Sequence, residues 1–130
     1  MKDIQVPISP GELLDKITIL QIKSERIDDS AKLANVNREL EMLTRVWEQS
    51  VESDERIEAL AARLKSINES LWEIEDDIRD EERNKRFGER FVELARAVYV
   101  TNDERADAKK QVNLLLGSSI VEEKSYQDYK

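Results

Sequence analysis

The stretch that decides the fold is Asp54–Arg86, DERIEALAARLKSINESLWEIEDDIRDEERNKR. Its apolar residues Ile57, Leu60, Leu64, Ile67, Leu71, Ile74 and Ile78 recur in unbroken alternating steps of three and four. On a helix that spacing collects them into one narrow stripe, the pattern of a rod laid against partner helices. At about 1.5 Å per residue, its roughly 33 residues span about 50 Å. A second line, Asn68, Trp72, Glu75, Arg79 and Glu82, runs beside the first, at the edge of the helix contact rather than in open solvent.

On the N-terminal side, Ser50–Asp54 offers a break, with Ser53 as the expected cap and Asp54 and Glu55 suited to a positive helix start. No Gly or Pro enforces it, so a continuous rod over 31–86 is the alternative. Before it, Leu33, Val36, Leu40, Leu43 and Trp47 predict a helix ending near Gln49. The polar link Asp28-Asp29-Ser30 turns that helix back on the one before. The earlier helix starts at Ser9-Pro10-Gly11-Glu12, a capping box with proline at the first helical position, and runs to about Ile27. Leu13, Ile17, Leu20 and Ile27 form one of its stripes, while Ile19 and Ile22 lie opposite with Asp15 and Arg26. A helix apolar on two sides is expected between neighbours. Residues 1–8 read as an extended arm whose Ile4, Val6 and Ile8 could anchor one side.

On the C-terminal side, Arg83, Lys85 and Arg86 complement the helix dipole, and Gly88 is the expected left-handed stop. A fourth helix is predicted over about 89–100, carrying Phe91, Leu94 and Val98. Thr101-Asn102-Asp103-Glu104 has the form of a second capping box, which predicts a fifth helix through Ala108, Val112 and Leu115 to a stop at Gly117. Residues 118–130 form a polar tail. The expectation is one all-α domain of five helices. Helices one to three make an antiparallel core around the long central helix, and four and five cover one end as an angled pair.

Composition sets limits on chemistry. A chain of 130 residues suits a single domain, and 38% charged residues with three Gly and two Pro suit long helices with short links. The net charge of −8 argues against bulk affinity for nucleic acid or anionic membrane. The chain has no cysteine and no histidine, so it lacks a thiolate nucleophile, the usual neutral-pH base and the commonest metal ligands. No cofactor or metal is expected, and a non-enzymatic role is favoured. The N-terminus lacks the apolar core of a secretion signal, and no apolar run approaches the roughly 20 residues of a membrane span. A cytoplasmic location is therefore the expectation.

Four constellations could carry function. Asp15, Lys16, Lys23 and Arg26 place charge on the doubly apolar first helix, where internal pairing and snorkelling are the simpler account. Trp72, Glu75 and Arg79 could form a stacking platform for a sugar or base, although such a Trp more often packs at a core edge. The acidic face Glu73, Asp76, Asp77 and Asp80 would suit a hard cation, but it points away from the seam and reads as solvated surface. Arg96, Tyr99, Asn102 and Arg105 surround the expected junction of the fourth and fifth helices. Two guanidiniums, a phenol and a helix N-terminus there make the best candidate anion pocket, with Lys16 or Lys23 as further contributors.

The segments PGELLDKITILQIKSERI (10–27), KLANVNREL (32–40), LWEIEDDIR (71–79), LARAVYVTNDERA (94–106) and EEKSY (122–126) together resemble a small bacterial and phage family of unknown function. That resemblance covers nearly the whole chain. It implies a setting near lipopolysaccharide or other surface-polysaccharide genes, and it supplies no catalytic residues. The first helix is also loosely similar to that of the all-helical chorismate mutases, without a full set of their binding residues. Helical NTP pyrophosphatases need paired acidic motifs on two facing helices, and only the long helix here is rich in acids.

The function expected from these features is binding of a small anionic metabolite, a phosphosugar or nucleotide sugar, in surface-polysaccharide metabolism. The alternatives are a ligand-free oligomeric scaffold docking a pathway enzyme such as a glycosyltransferase, and a small helical enzyme of one of the two types above. The long rod overhangs the shorter helices, which predicts a homodimer.

Overall fold

The computed structural model describes residues 2–129 and contains four helices: α1 (Pro10–Arg26), α2 (Ser30–Ser50), α3 (Glu55–Arg83) and α4 (Glu89–Leu115). The all-α class agrees with the sequence reading, but the five-helix expectation does not. The residues assigned to a fourth and a fifth helix form one, α4, which passes straight through Thr101-Asn102-Asp103-Glu104.

The physical reason lies in what those residues do instead of capping. Asn102 Oδ1 accepts from Arg105 Nη1 at 3.4 Å, and Asp103 pairs with Lys124 at 2.7 Å, so both side chains have partners other than the N–H groups of a helix start. No Gly or Pro lies within α4. Its seam positions Phe91, Leu94, Val98, Thr101, Arg105, Ala108 and Val112 keep the three-four step across the supposed junction. Packing of that seam outweighs the weak local preference of Thr, Asn and Asp for a helix start.

The ends of the other helices follow their chemistry closely. Ser9 Oγ accepts from the Glu12 N–H at 3.2 Å, and Pro10 opens α1. Asp29 caps α2 through the Lys32 N–H at 2.9 Å. The break before α3 is real, so there is no continuous rod over 31–86. Its cap is Asp54 rather than Ser53, accepting from the Arg56 and Ile57 N–H groups at 2.9 and 3.0 Å. Those bonds, led by the Ile57 N–H and then the Arg56 side chain, hold the Asp54 carboxyl below its ordinary pKa.

Two helices stop in the same hydrogen-bonded manner. After α3, Arg86 N–H donates to Glu81 O and Lys85 N–H to Glu82 O, with Lys85 left-handed at φ 56°. Gly88, the expected stop, instead caps the start of α4. After α4, Ser118 N–H donates to Asn113 O and Gly117 N–H to Leu114 O, and Gly117 at φ 68° takes the left-handed position expected of it.

The core also differs from the expected arrangement of helices one to three. It is built by α1, α3 and α4, with Leu14, Leu64, Ile67, Ala108 and Val112 at its centre. Helix α3 pairs with α4 and α1, not with α2. Helix α2 packs on α1 alone and has no buried residue, although Trp47 at its end reaches the core cluster. Helix α1 is the sandwiched element, in contact with all three others. Its Gly11 is required by that closeness: a Cβ there would lie 2.4 Å from the Lys109 carbonyl oxygen.

Beyond the helices, Ile4 and Val6 of the N-terminal arm are exposed rather than anchored. The C-terminal segment lies along α4, through Glu122 to Lys109, Glu123 to Lys110, and Tyr129 edge-on to Tyr99. Among the described residues, no helix is long and apolar enough to cross a membrane.

Candidate functional site

Where α1 crosses the α3–α4 pair, it buries a carboxylate. Asp15 is 1% exposed, and its oxygens receive both the Nε and Nη2 groups of Arg105, the former at 2.9 Å. Asn68 Nδ2 donates to the same carboxylate at 2.9 Å and to Thr18 Oγ1 at 3.0 Å. The Thr18 hydroxyl in turn donates to the Asp15 carbonyl. A carboxylate so enclosed is tolerable only because each oxygen is bonded and a full positive charge faces it. The hydrogen bond to Asp15 is the main cause that raises the Arg105 pKa above its ordinary value, with burial acting against it.

One turn along α4, the same logic repeats. Lys109, 7% exposed, pairs with Glu12 at 2.6 Å and Glu122 at 3.4 Å. Burial pushes its pKa down, but the Glu12 hydrogen bond and the surrounding carboxylates outweigh that and raise it. Deeper still, Asn113 Oδ1 accepts from the Gly11 N–H at 2.7 Å, while its Nδ2 is buried without a protein partner. These three contacts lock α1 to α4.

Above the Asp15–Arg105 pair opens a cleft of about 440 Å³, lined by Ile19 and Ile22 of α1, Asn68, Leu71, Trp72, Glu75, Asp76 and Arg79 of α3, and Asn102 and Arg105 of α4. Its lining mixes apolar and polar side chains, as suits a small molecule, and the volume falls within the range of ligand pockets. Trp72 is half-buried, with the Arg26 guanidinium 5.8 Å from its ring centre. Arg79 bonds Glu75 at 3.1 Å, an exposed i,i+4 pair that costs little to open. The bonds of Arg105 to Asp15 and Asn102 use three of the five N–H groups of its guanidinium.

The structure thus merges parts of separate sequence constellations. It brings Asn102 and Arg105 together with Trp72, Glu75 and Arg79, and sets Asp15 beneath them. It does not gather the rest of the expected anion pocket. On a continuous helix, Arg96 and Arg105 are nine residues apart, which puts them on opposite faces of α4. Arg96 is exposed, and Tyr99 packs on Tyr129 and lines the cavity under the C-terminal segment. Lys16 is exposed and Lys23 half-buried, and neither lines the cleft. No free helix start follows Thr101. Of the acidic face, Asp77 pairs with Arg90, and Asp80 with Arg83 and Arg86. Among the described residues, no cluster of three or more acidic side chains is placed to hold a metal.

The sequence reading names Asp15 and Asn68 separately and does not join them as a buried unit, nor does it make Ile19 and Ile22 a wall of the site. The signals are the α1 stripe Asp15, Ile19, Ile22 and Arg26, which faces this cleft or its rim, and the α3 line that Asn68 shares with Trp72, Glu75 and Arg79. A model of a family described as one of unknown function, DUF6165, matches residues 4–129. The chain belongs to the DUF6165 family. No curated protein and no solved structure matches it. The family match spans every helix of this DUF6165 member, including all the residues that line the cleft.

Proposed function

We propose that this DUF6165 member binds a small, hydroxyl-rich anionic metabolite, a sugar phosphate or nucleotide sugar, in the α1–α3–α4 cleft and does not transform it. The observation that carries this reading is the placement of Trp72 beside Glu75, Arg79, Asn102 and Arg105 over the buried Asp15. An indole face stacks on a sugar or base, carboxylate and amide groups bond hydroxyls, and guanidiniums bind phosphate oxygens in pairs. Arg79 can leave its exposed partner for a phosphate, and Arg105 offers its two remaining N–H groups from a fixed position. Asp15 serves as an anchor that keeps Arg105 in place. A setting in surface-polysaccharide metabolism and action as a homodimer belong to the same proposal.

The two tryptophans, Trp47 and Trp72, give a direct assay once Trp47→Phe leaves Trp72 as the sole reporter. Titration with glucose 1-phosphate and with UDP-glucose should change Trp72 fluorescence saturably for at least one of them, with the ligand recovered intact. Arg79→Ala should weaken the response to the phosphorylated sugar. A flat signal for both compounds up to millimolar concentration, or conversion of the ligand, would overturn the reading.

A further inference from the structure

The cleft above Asp15 does not end at Arg105. Asn102 and Arg105 also line a second cavity, of about 690 Å³, that adjoins the first. It lies between α4, through Tyr99, Asn102 and Arg105, and the C-terminal segment, through Lys124 and Tyr126. That segment runs back along α4: Glu122 meets Lys109, Lys124 meets Asp103, and Tyr129 meets Tyr99. The two cavities differ in what their cations can do. In the second, buried Lys109 is held by Glu12 and Glu122, and Lys124 by Asp103 at 2.7 Å, so neither lysine is offered to a phosphate. The two remaining N–H groups of Arg105 are, and they belong to the boundary between the cavities. The second cavity offers aromatic surface instead, since Tyr99 is 42% exposed and Tyr126 88%.

We infer that the two cavities form one site for a nucleoside diphosphate sugar, with the sugar against Trp72, the diphosphate at Arg79 and Arg105, and the nucleoside under the C-terminal segment beside Tyr99 and Tyr126. The inference rests on the ligand reading above and narrows it to one of its two ligand classes. Charge and ring placement match that class, which has an anionic middle and an uncharged, ring-bearing group at each end. A sugar phosphate has only one such end and would leave the second cavity unfilled. Tyrosine rings stack on a base, and the carboxylates of Asp103 and Glu122, which line the same cavity, can accept from ribose hydroxyls.

Calorimetric titration of the full chain with UDP-glucose, UDP and glucose 1-phosphate tests it. UDP-glucose should bind more tightly than glucose 1-phosphate. Tyr126→Ala should weaken UDP-glucose and UDP by about tenfold each, as the loss of one base-stacking ring does, and leave glucose 1-phosphate unchanged. Tyr126→Phe keeps the ring and should bind all three as the wild type does. Tyr126 is 88% exposed, so the helical circular dichroism of both variants should match the wild type. The inference is overturned if UDP-glucose binds no more tightly than glucose 1-phosphate, if Tyr126→Ala leaves UDP unchanged or weakens glucose 1-phosphate equally, or if Tyr126→Phe loses as much as Tyr126→Ala. In each of those cases glucose 1-phosphate still bound by the wild type leaves the cleft reading standing. Binding of none of the three compounds would overturn both.

Discussion

Replacing Arg105 with alanine should damage this protein more than any other single loss of charge. Asp15 is 1% exposed, so it cannot turn to water when its partner is removed. Two donated N–H groups vanish, and only Asn68 Nδ2, at 2.9 Å, remains on the carboxylate from another helix. Breaking a buried pair from one side in this way costs about 3–5 kcal/mol. Domains of this size are stable by about 5–15 kcal/mol, so the loss is a large share of the total. Asp15→Asn should cost less, about 1–3 kcal/mol, because the Arg105 side chain is 29% exposed and its freed N–H groups can reach solvent.

Urea denaturation followed by circular dichroism at 222 nm measures both variants. A deficit below about 1 kcal/mol in Arg105→Ala would refute the view that an unpaired buried charge is responsible.

Two further outcomes bear on the fold. Gly11→Ala would place a methyl group 2.4 Å from the Lys109 carbonyl oxygen and 2.8 Å from Asn113 Oδ1, so α1 must move off α4. Overpacking of this kind costs about 1–3 kcal/mol or more, and a melting temperature equal to wild type would show that the contact is not so tight. Thr101→Ala distinguishes one helix from two: as a cap, Thr101 would cost about 0.5–2 kcal/mol to remove, but inside a continuous α4 the change should be near neutral or slightly stabilising.

Much of this architecture is local and was therefore legible in the chain itself. The α3 seam from Ile57 to Ile78, the capping of α1 by Ser9, and the left-handed stop at Gly117 each depend on residues within a few positions of one another. So does the all-helical class, since periodicity, caps and the lack of Gly and Pro inside helices all agree. The sequence also placed Trp72, Glu75 and Arg79 on one line, because i,i+3 and i,i+4 neighbours need no tertiary knowledge.

What the chain did not disclose is long-range. The Thr101–Glu104 segment has the local form of a helix start, and it continues as helix only because the α4 seam packs on α3 along its length. That continuity turned Arg96 away from Arg105. The pairing of Asp15 with Arg105 joins residues 90 positions apart, and the bond of Asn68 to Asp15 spans 53. No spacing rule relates such residues. Their meeting is set by the angle at which α1 crosses α3 and α4, which follows from the packing of Leu14, Leu64, Ile67, Ala108 and Val112. The sequence determined the helices and the residues each could offer. Packing alone decided which of them share a cleft, because burial of apolar surface is a property of the assembled chain rather than of any one segment.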